Sequence, residues 1–139
     1  MTSLSFPDVN VWLALASHDH VHSARARLWW RECTGLIAMV RSTQHGFLRL
    51  ITTSSAMNGQ PLTINDAWRT YDRFYDDDRV TFLSDPPEVE KAFRKFAIGK
   101  FASPKLWTEA WLLAVAQAAG GHLITLDKAL AAHGAHCLL

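Results

Sequence analysis

The chain has 139 residues, about one domain's worth, of which 49% are hydrophobic and 19% charged. That balance suits a folded protein and excludes intrinsic disorder. A formal net charge of +1 makes no case by itself for nucleic-acid binding, although local charge can still steer a partner. Two cysteines, Cys33 and Cys137, are too few for a disulfide framework and lack metal-site spacing, so both are expected as free thiols.

The start MTSLSFPDVN has no basic n-region, so a secretory leader is not expected. No uncharged apolar stretch reaches the roughly 20 residues of a membrane helix, and the protein is read as cytoplasmic, with no membrane partner. One domain, 1–139, is expected.

In chain order, Ser5–Val9 is predicted as a short strand running into the helix VNVWLALASH, with Asn10 as its N-cap. His22–Cys33 is predicted helical and Gly35 marks the break after it. LIAMV, Leu36–Val40, is a short buried strand. Thr43 opens a helix in which Phe47, Leu48 and Ile51 keep helical spacing. After a turn at Asn58-Gly59-Gln60-Pro61, Thr63 and Asp66 form a capping pattern for the next helix. VTFL, Val80–Leu83, is a third strand, and Asp85-Pro86-Pro87 is expected to start the helix EVEKAFRKFA, since proline is tolerated in a first turn. Lys100–Lys105 is read as a loop, and Leu106–Ala119 as an Ala-rich helix ended by Gly120-Gly121. His122–Thr125 is a fourth strand, Asp127–Ala132 a short helix and Ala135–Leu138 a last strand.

Short apolar strands alternating with helices define an α/β domain whose mainly parallel sheet is covered on both faces. Ligand sites in such sheets lie beyond the carboxyl ends of the strands. That rule selects Asp8–Asn10, Arg41–Gln44, Asp85 and Asp127. Asp8 sits in FPDVNVWLALA, an apolar run in which an unpaired carboxylate is expensive. Glu109 lies near the predicted start of the helix before the fourth strand, with Thr108 as a local cap. Asp8, Glu109 and Asp127 are therefore expected to converge on one edge. Three carboxylates in one cleft repel unless a cation sits among them, and hard oxygen ligands suit Mg²⁺ or Mn²⁺. The chemistry of such a site is metal-assisted phosphodiester hydrolysis. The chain contains no Walker loop and no Gly-x-Ser-x-Gly elbow. A phosphotransfer domain would also place Asp after the first strand, but it needs an adjacent acidic pair or a second Asp two residues on, where Asn10 stands.

FPDVNVWLALA, STQHGFLRLIT, LWTEAWLLAVAQAAG and LITLDKAL, in this order across nearly the whole chain, resemble the PIN-domain ribonucleases, and among them the VapC toxins of toxin–antitoxin pairs. The resemblance implies a PIN-like three-layer α/β/α sandwich with a four- to five-stranded sheet. It implies a Mg²⁺- or Mn²⁺-dependent endoribonuclease that cuts RNA, forms a homodimer and is neutralised by a VapB-type antitoxin. Matched position by position, it assigns the catalytic acids to Asp8, Glu109 and Asp127, all as metal ligands, and puts a hydroxyl near the site at Thr125. Two positions depart from the family pattern. Gln44 stands where Glu is usual, giving a neutral oxygen donor in the site, and Glu109 stands where Asp is usual. Gln44→Glu is accordingly expected to raise metal affinity. The competing reading is a catalytically weak or inactive module that binds RNA or antitoxin.

Other features have simpler readings. Lys91, Arg94, Lys95, Lys100 and Lys105 form an acid-free stretch, either a phosphate-binding stripe or a solvated helix face. Arg41 and Arg49 flank the second motif. Asp76-Asp77-Asp78 is read as a solvated turn, because three adjacent side chains cannot converge on one ion. His18, His20 and His22 are read as a polar connector rather than a metal site. Trp29 and Trp30 diverge on a helix, so one is expected inside and the other over a partner surface. Trp107 and Trp111 are expected to pack around Glu109, and Phe93, Phe96 and Phe101 to be core.

Overall fold

The structure, a computed structural model, describes residues 3–139. Five parallel strands, β1 (Leu4–Pro7), β2 (Leu36–Met39), β3 (Val80–Phe82), β4 (His122–Thr125) and β5 (His136–Cys137), form one sheet in the order β3-β2-β1-β4-β5. The helices between them are α1 (Val9–Ala16), α2 (Ser23–Glu32), α3 (Arg41–Ile51), α4 (Ile64–Phe74), α5 (Val89–Phe96) and α6 (Pro104–Ala118). Short 3-10 turns cover Ser54–Met57 and Lys128–His133.

The period-2 alternation of a strand sorts β2 and its flank between two cores. Ile37 and Met39 join Trp12, Leu13, Phe47, Ile51, Tyr71 and Phe74 under α1, α3 and α4. Ala38 and Val40 join Phe6, Leu112, Leu113, Val115 and Leu123 on the α6 side. A sheet buried on both faces explains why its strands read as continuous apolar runs. The expected α/β/α layering follows from these two cores.

The helix starts differ from expectation in four places. Asp8, not Asn10, is the N-cap of α1, its Oδ1 accepting from Val11 N at 3.0 Å. Helix α3 begins at Arg41, two residues before Thr43, with Val40 as a cap that offers no side chain. Asp85, Pro86 and Pro87 precede α5 without capping it; the cap is Glu88, in the left-handed region at φ 67°. Lys100–Lys105 is only partly a loop, because Pro104 starts α6 at the one position where a missing N–H is harmless. Thr63 does cap α4, accepting from Asp66 N at 3.1 Å.

Gly46 has a packing reason rather than a turn reason. A Cβ there would lie 2.8 Å from Cγ2 of Val9, so glycine lets α3 cross close to the start of α1. That contact brings the second motif beside the first.

The aromatic expectations need three corrections. Trp29 and Trp30 both pack at the edge of the first core, Trp30 standing edge-on to Trp12 at 5.9 Å. Trp107 and Trp111 share a face, but that face meets Phe93, with ring centroids 6.1 and 5.2 Å away. Glu109, two residues from each, lies on another side of α6. Phe101 is 90% exposed and belongs to no core. Cys33 and Cys137 are free, as expected.

The acidic triplet is more than a solvated turn. Asp77 takes the Arg79 side chain through both carboxylate oxygens, from Nε at 2.9 Å and Nη2 at 2.7 Å. Arg79 Nη1 in turn donates to the carbonyls of Trp30 and Cys33, each at 2.7 Å, and its guanidinium lies over the Trp30 ring at 5.1 Å. One side chain thus ties the turn before β3 to the end of α2. Arg79→Ala, which leaves those helix-end carbonyls without their donor, should destabilise the fold by about 2 kcal/mol, read as a lower denaturant midpoint at unchanged m-value.

Candidate active site

Strand β1 ends at Pro7, and the next residue turns the chain into α1. Asp8 N donates to Ile124 O at 2.9 Å, which fastens this corner to β4. Its carboxylate serves two structural partners. Oδ1 caps α1 at Val11 N, and Oδ2 accepts the Thr125 hydroxyl proton at 2.6 Å. Thr125 is fully buried at the end of β4, and its Oγ1 accepts from Asp127 N at 3.0 Å. Asp127 then caps the 3-10 turn that follows, Oδ1 accepting from Ala129 N at 2.9 Å. A continuous chain of hydrogen bonds therefore runs from the Asp127 amide through Thr125 to the Asp8 carboxylate.

Glu109 comes from α6. Because that helix starts at Pro104, Glu109 lies in its second turn rather than its first, and Thr108 does not cap it; the Thr108 hydroxyl donates to Lys105 O at 3.2 Å. Helical spacing puts Lys105, four residues earlier, on the same side as Glu109. Asp8, Glu109 and Asp127 line one cavity of about 260 Å³ together with Asn10, Lys105 and Thr108, over a floor of Leu112, Leu123 and Leu130.

The electrostatics follow from that gathering. Burial pushes the Asp8 carboxyl up from its ordinary 3.8, against the pull of its Thr125 and Val11 hydrogen bonds, and the Asp127 charge adds to the rise. Glu109 is likewise pushed up from 4.5, by burial first and then by Asp127, with Lys105 acting the other way and Asp8 reinforcing. The Asp127 charge thus makes both Asp8 and Glu109 harder to ionise, as expected of like charges sharing a site. The donor set, carboxylate oxygens alone, fits Mg²⁺ or Mn²⁺. Among the described residues no three His, Cys, Asp or Glu side chains are already gathered tightly enough to hold an ion.

Gln44 is brought near but not in. It is 6% exposed on the first turn of α3 and does not line the acid cavity. Its Oε1 accepts from Arg41 Nη1 at 2.7 Å, and the Arg41 guanidinium also lies 4.5 Å from the Phe82 ring centre. Asn10 lines the cavity, as the strand-edge rule expects, although it does not cap α1. Lys105, expected only in the basic stripe, is also a cavity wall, and its i, i+4 relation to Glu109 is the signal in the sequence that places it there. The rest of the stripe is exposed, with Arg94 paired to Glu90 at 3.2 Å.

The parallel sheet thus gathers acids that follow β1 and β4 with one from α6 at its carboxyl edge. Residues 5–135 match the PIN domain family, and the chain belongs to that family. Among its relatives is Ribonuclease VapC41 of Mycobacterium tuberculosis, 38% identical over 133 residues that cover 91% of each chain. Ribonuclease VapC44 of the same organism is 34% identical over 89% of this chain and 86% of its own. Among solved structures, M. tuberculosis VapC20, described as a sarcin-ricin loop cleaving toxin, superposes with a TM-score of 0.66 over 94% of this chain and 95% of its own, at 14% identity, a likeness of fold.

Two expectations follow from the site. Because Asp8 and Glu109 are raised, the folded chain binds protons more tightly than the unfolded chain above pH 3.8 and 4.5 respectively. Stability is therefore lost as pH rises through that window. Asp8→Asn keeps the cap acceptor and removes the charge, but presents an amide nitrogen where Thr125 now finds an acceptor. In thermal melts without metal its midpoint relative to wild type should therefore rise by about 3 °C between pH 3 and pH 7, whatever constant offset the lost Thr125 bond adds. Added Mn²⁺ should raise the wild-type midpoint and leave the variant nearly unmoved. For Gln44→Glu, Arg41 would neutralise part of the new charge. The gain in Mn²⁺ affinity by calorimetry should accordingly be larger, by about tenfold, in Arg41→Ala/Gln44→Glu than in Gln44→Glu alone.

Proposed function

We propose that this chain is a metal-dependent endoribonuclease toxin of the VapC type, cutting RNA phosphodiester bonds and held inactive by a VapB-type antitoxin. The observation that carries the reading is the single cavity lined by Asp8, Glu109 and Asp127 at the sheet's carboxyl edge, in a chain whose relatives are named ribonucleases. Asp8, Glu109 and Asp127 are the residues that would hold Mg²⁺ or Mn²⁺. When bound, such an ion supplies a nucleophilic water at neutral pH and neutralises charge on the phosphate in the in-line transition state.

The chain's own groups do the positioning. Thr125 donates to one Asp8 oxygen, which gives that carboxylate a fixed direction and favours its charged form. Asp127 is oriented by the turn it caps. Lys105 stands where a phosphate oxygen would be met by a cation, and it offsets one of the three negative charges. Three carboxylates with one ammonium leave a balance that suits one divalent ion. Gln44, uncharged and held by Arg41, adds nothing to it.

A partner is part of the proposal. A cell that makes a ribonuclease needs it restrained, which is the antitoxin's role. A homodimer suits the large apolar side chains left open at the α5–α6 end, where Ile98, Phe101 and Trp107 are 78%, 90% and 61% exposed. No helix among the described residues is long and apolar enough to cross a membrane, and action on cellular RNA belongs in the cytoplasm. The competing reading, a non-catalytic module, draws on the missing fourth acid at Gln44.

Incubation of the purified protein with total RNA and Mn²⁺, with new 5′ ends mapped, decides between the two. Cleavage that stops on adding EDTA is expected. Asp8→Ala and Asp127→Asn should each lower the rate by at least about a thousandfold. Cleavage by Asp8→Ala at the wild-type rate would remove the assignment.

A further inference from the structure

The acid cavity has a larger neighbour. A second cavity of about 620 Å³, within the roughly 300–1,000 Å³ of small-ligand clefts, is lined by Asn10, His20, Val21, His22, Asp127 and Lys128. Asn10 and Asp127 line both cavities, so the two lie side by side at the proposed metal-binding edge. The α1–α2 connector, the HDHVH segment, forms its far wall.

The wall is built, not loose. His22 N donates to His20 Nδ1 at 3.0 Å, so a neutral His20 ring carries its proton on Nε2. Burial, then the nearby His22, holds His20 below its ordinary 6.5, which favours that neutral ring. The two imidazoles stand 5.9 Å apart, half-buried, with Val21 84% exposed between them. His18 does not join them; its Nε2 lies 3.2 Å from Arg27 Nη2, away from the cavity. A three-histidine metal site is thereby removed as an explanation of the motif.

The lining has the chemistry of a nucleotide's complement. Imidazole faces and an exposed Val21 offer an apolar and π surface for an unstacked base, as histidine does in single-stranded RNA recognition. The Asn10 amide can both donate to and accept from a base edge. Lys128 is an exposed cation beside Asp127, suited to a flanking phosphate.

We propose that His20 and His22 form a nucleobase subsite, which holds the nucleotide next to the scissile phosphate of a single-stranded RNA. Asn10 reads the base edge and Lys128 meets the flanking phosphate. The proposal rests on the ribonuclease reading for its orientation, and the test keeps the two apart.

Binding of 5′-labelled hexaribonucleotides of different sequence is measured by fluorescence anisotropy in EDTA, so that no strand is cut. Cleavage positions are mapped separately in Mn²⁺. His20→Asn keeps an acceptor for His22 N and so preserves the turn, while removing the ring. Combined with His22→Ala, it should weaken binding of the preferred hexamer about tenfold, narrow the differences between sequences and relax the nucleotide preference beside the cut. Lys128→Ala should weaken all hexamers alike and reduce the salt dependence of binding. If wild type cuts RNA and the histidine double variant binds and cuts with unchanged preference, the subsite is overturned and the nuclease stands. If wild type cuts nothing yet the double variant loses oligonucleotide affinity, the subsite stands and the nuclease reading falls. Absence of RNA binding by wild type, both in EDTA and with Ca²⁺ added to screen the acids, overturns the subsite outright.

Discussion

The hydroxyl proton of Thr125 can be given to only one acceptor, and it goes to Asp8. The same oxygen receives the Asp127 amide, so two acids from opposite ends of the chain are set by one buried side chain. Valine, isosteric with threonine but without the hydroxyl, would fill the same space and leave Asp8 and Asp127 held only by their cap hydrogen bonds. The bond is also what makes a half-buried carboxylate tolerable at the β1–α1 corner. It offsets desolvation only in part, since Asp8 stays raised. The fold thus holds its site above its lowest free energy, a common arrangement where charge must be kept ready for a ligand.

The strand order explains why these residues meet. With β1 at the centre, the chain first moves outward to β2 and β3, then returns through α5 and α6 to lay β4 and β5 on the other side of β1. The direction of winding reverses between β1 and β4. Helices leaving adjacent strands at such a point diverge to opposite faces and open a crevice at the carboxyl ends. Asp8 and Asp127 follow the two strands that flank the reversal, and Glu109 lies on the helix that makes the return crossing. The acids are drawn together by topology, and no local propensity in any of the three segments would place them so.

That division accounts for what could be read in advance. The strands were legible because burial on both faces writes them as short apolar runs between turn residues, and LIAMV and HLIT needed no context. The edge rule then sufficed to find Asp8 and Asp127. Helix starts were less legible, since a cap is a competition among neighbouring polar residues. Asp8 beat Asn10 because the strand ends at Pro7, and Glu88 in a left-handed conformation displaced the Asp85 cap. Such contests turn on where the chain arrives from. Side-chain partners far apart in sequence were not legible at all. Nothing local marks Arg79 for the Trp30 and Cys33 carbonyls at the end of α2, or Phe93 for the two tryptophans of α6.

Gln44 shows how a local substitution is absorbed by the surrounding packing. A neutral amide 6% exposed needs a partner of its own, and Arg41, one turn earlier on α3, supplies it. The same guanidinium rests on the Phe82 ring at the end of β3, so the pair also covers the edge of the sheet there. An arginine committed in this way would be a natural counter-ion for a glutamate at the same position, which means the local scaffold accommodates either residue. What differs is the charge delivered to the cleft. With glutamine at 44 the negative charge of the edge is concentrated on the β1–β4 side, around the Thr125 hydroxyl, and it fades toward β2. A divalent cation approaching this edge therefore meets its strongest attraction between Asp8 and Asp127, where a phosphate chain alone would be repelled. Asp127 also lines the histidine-walled cavity, so a strand drawn to that ion would pass the histidines.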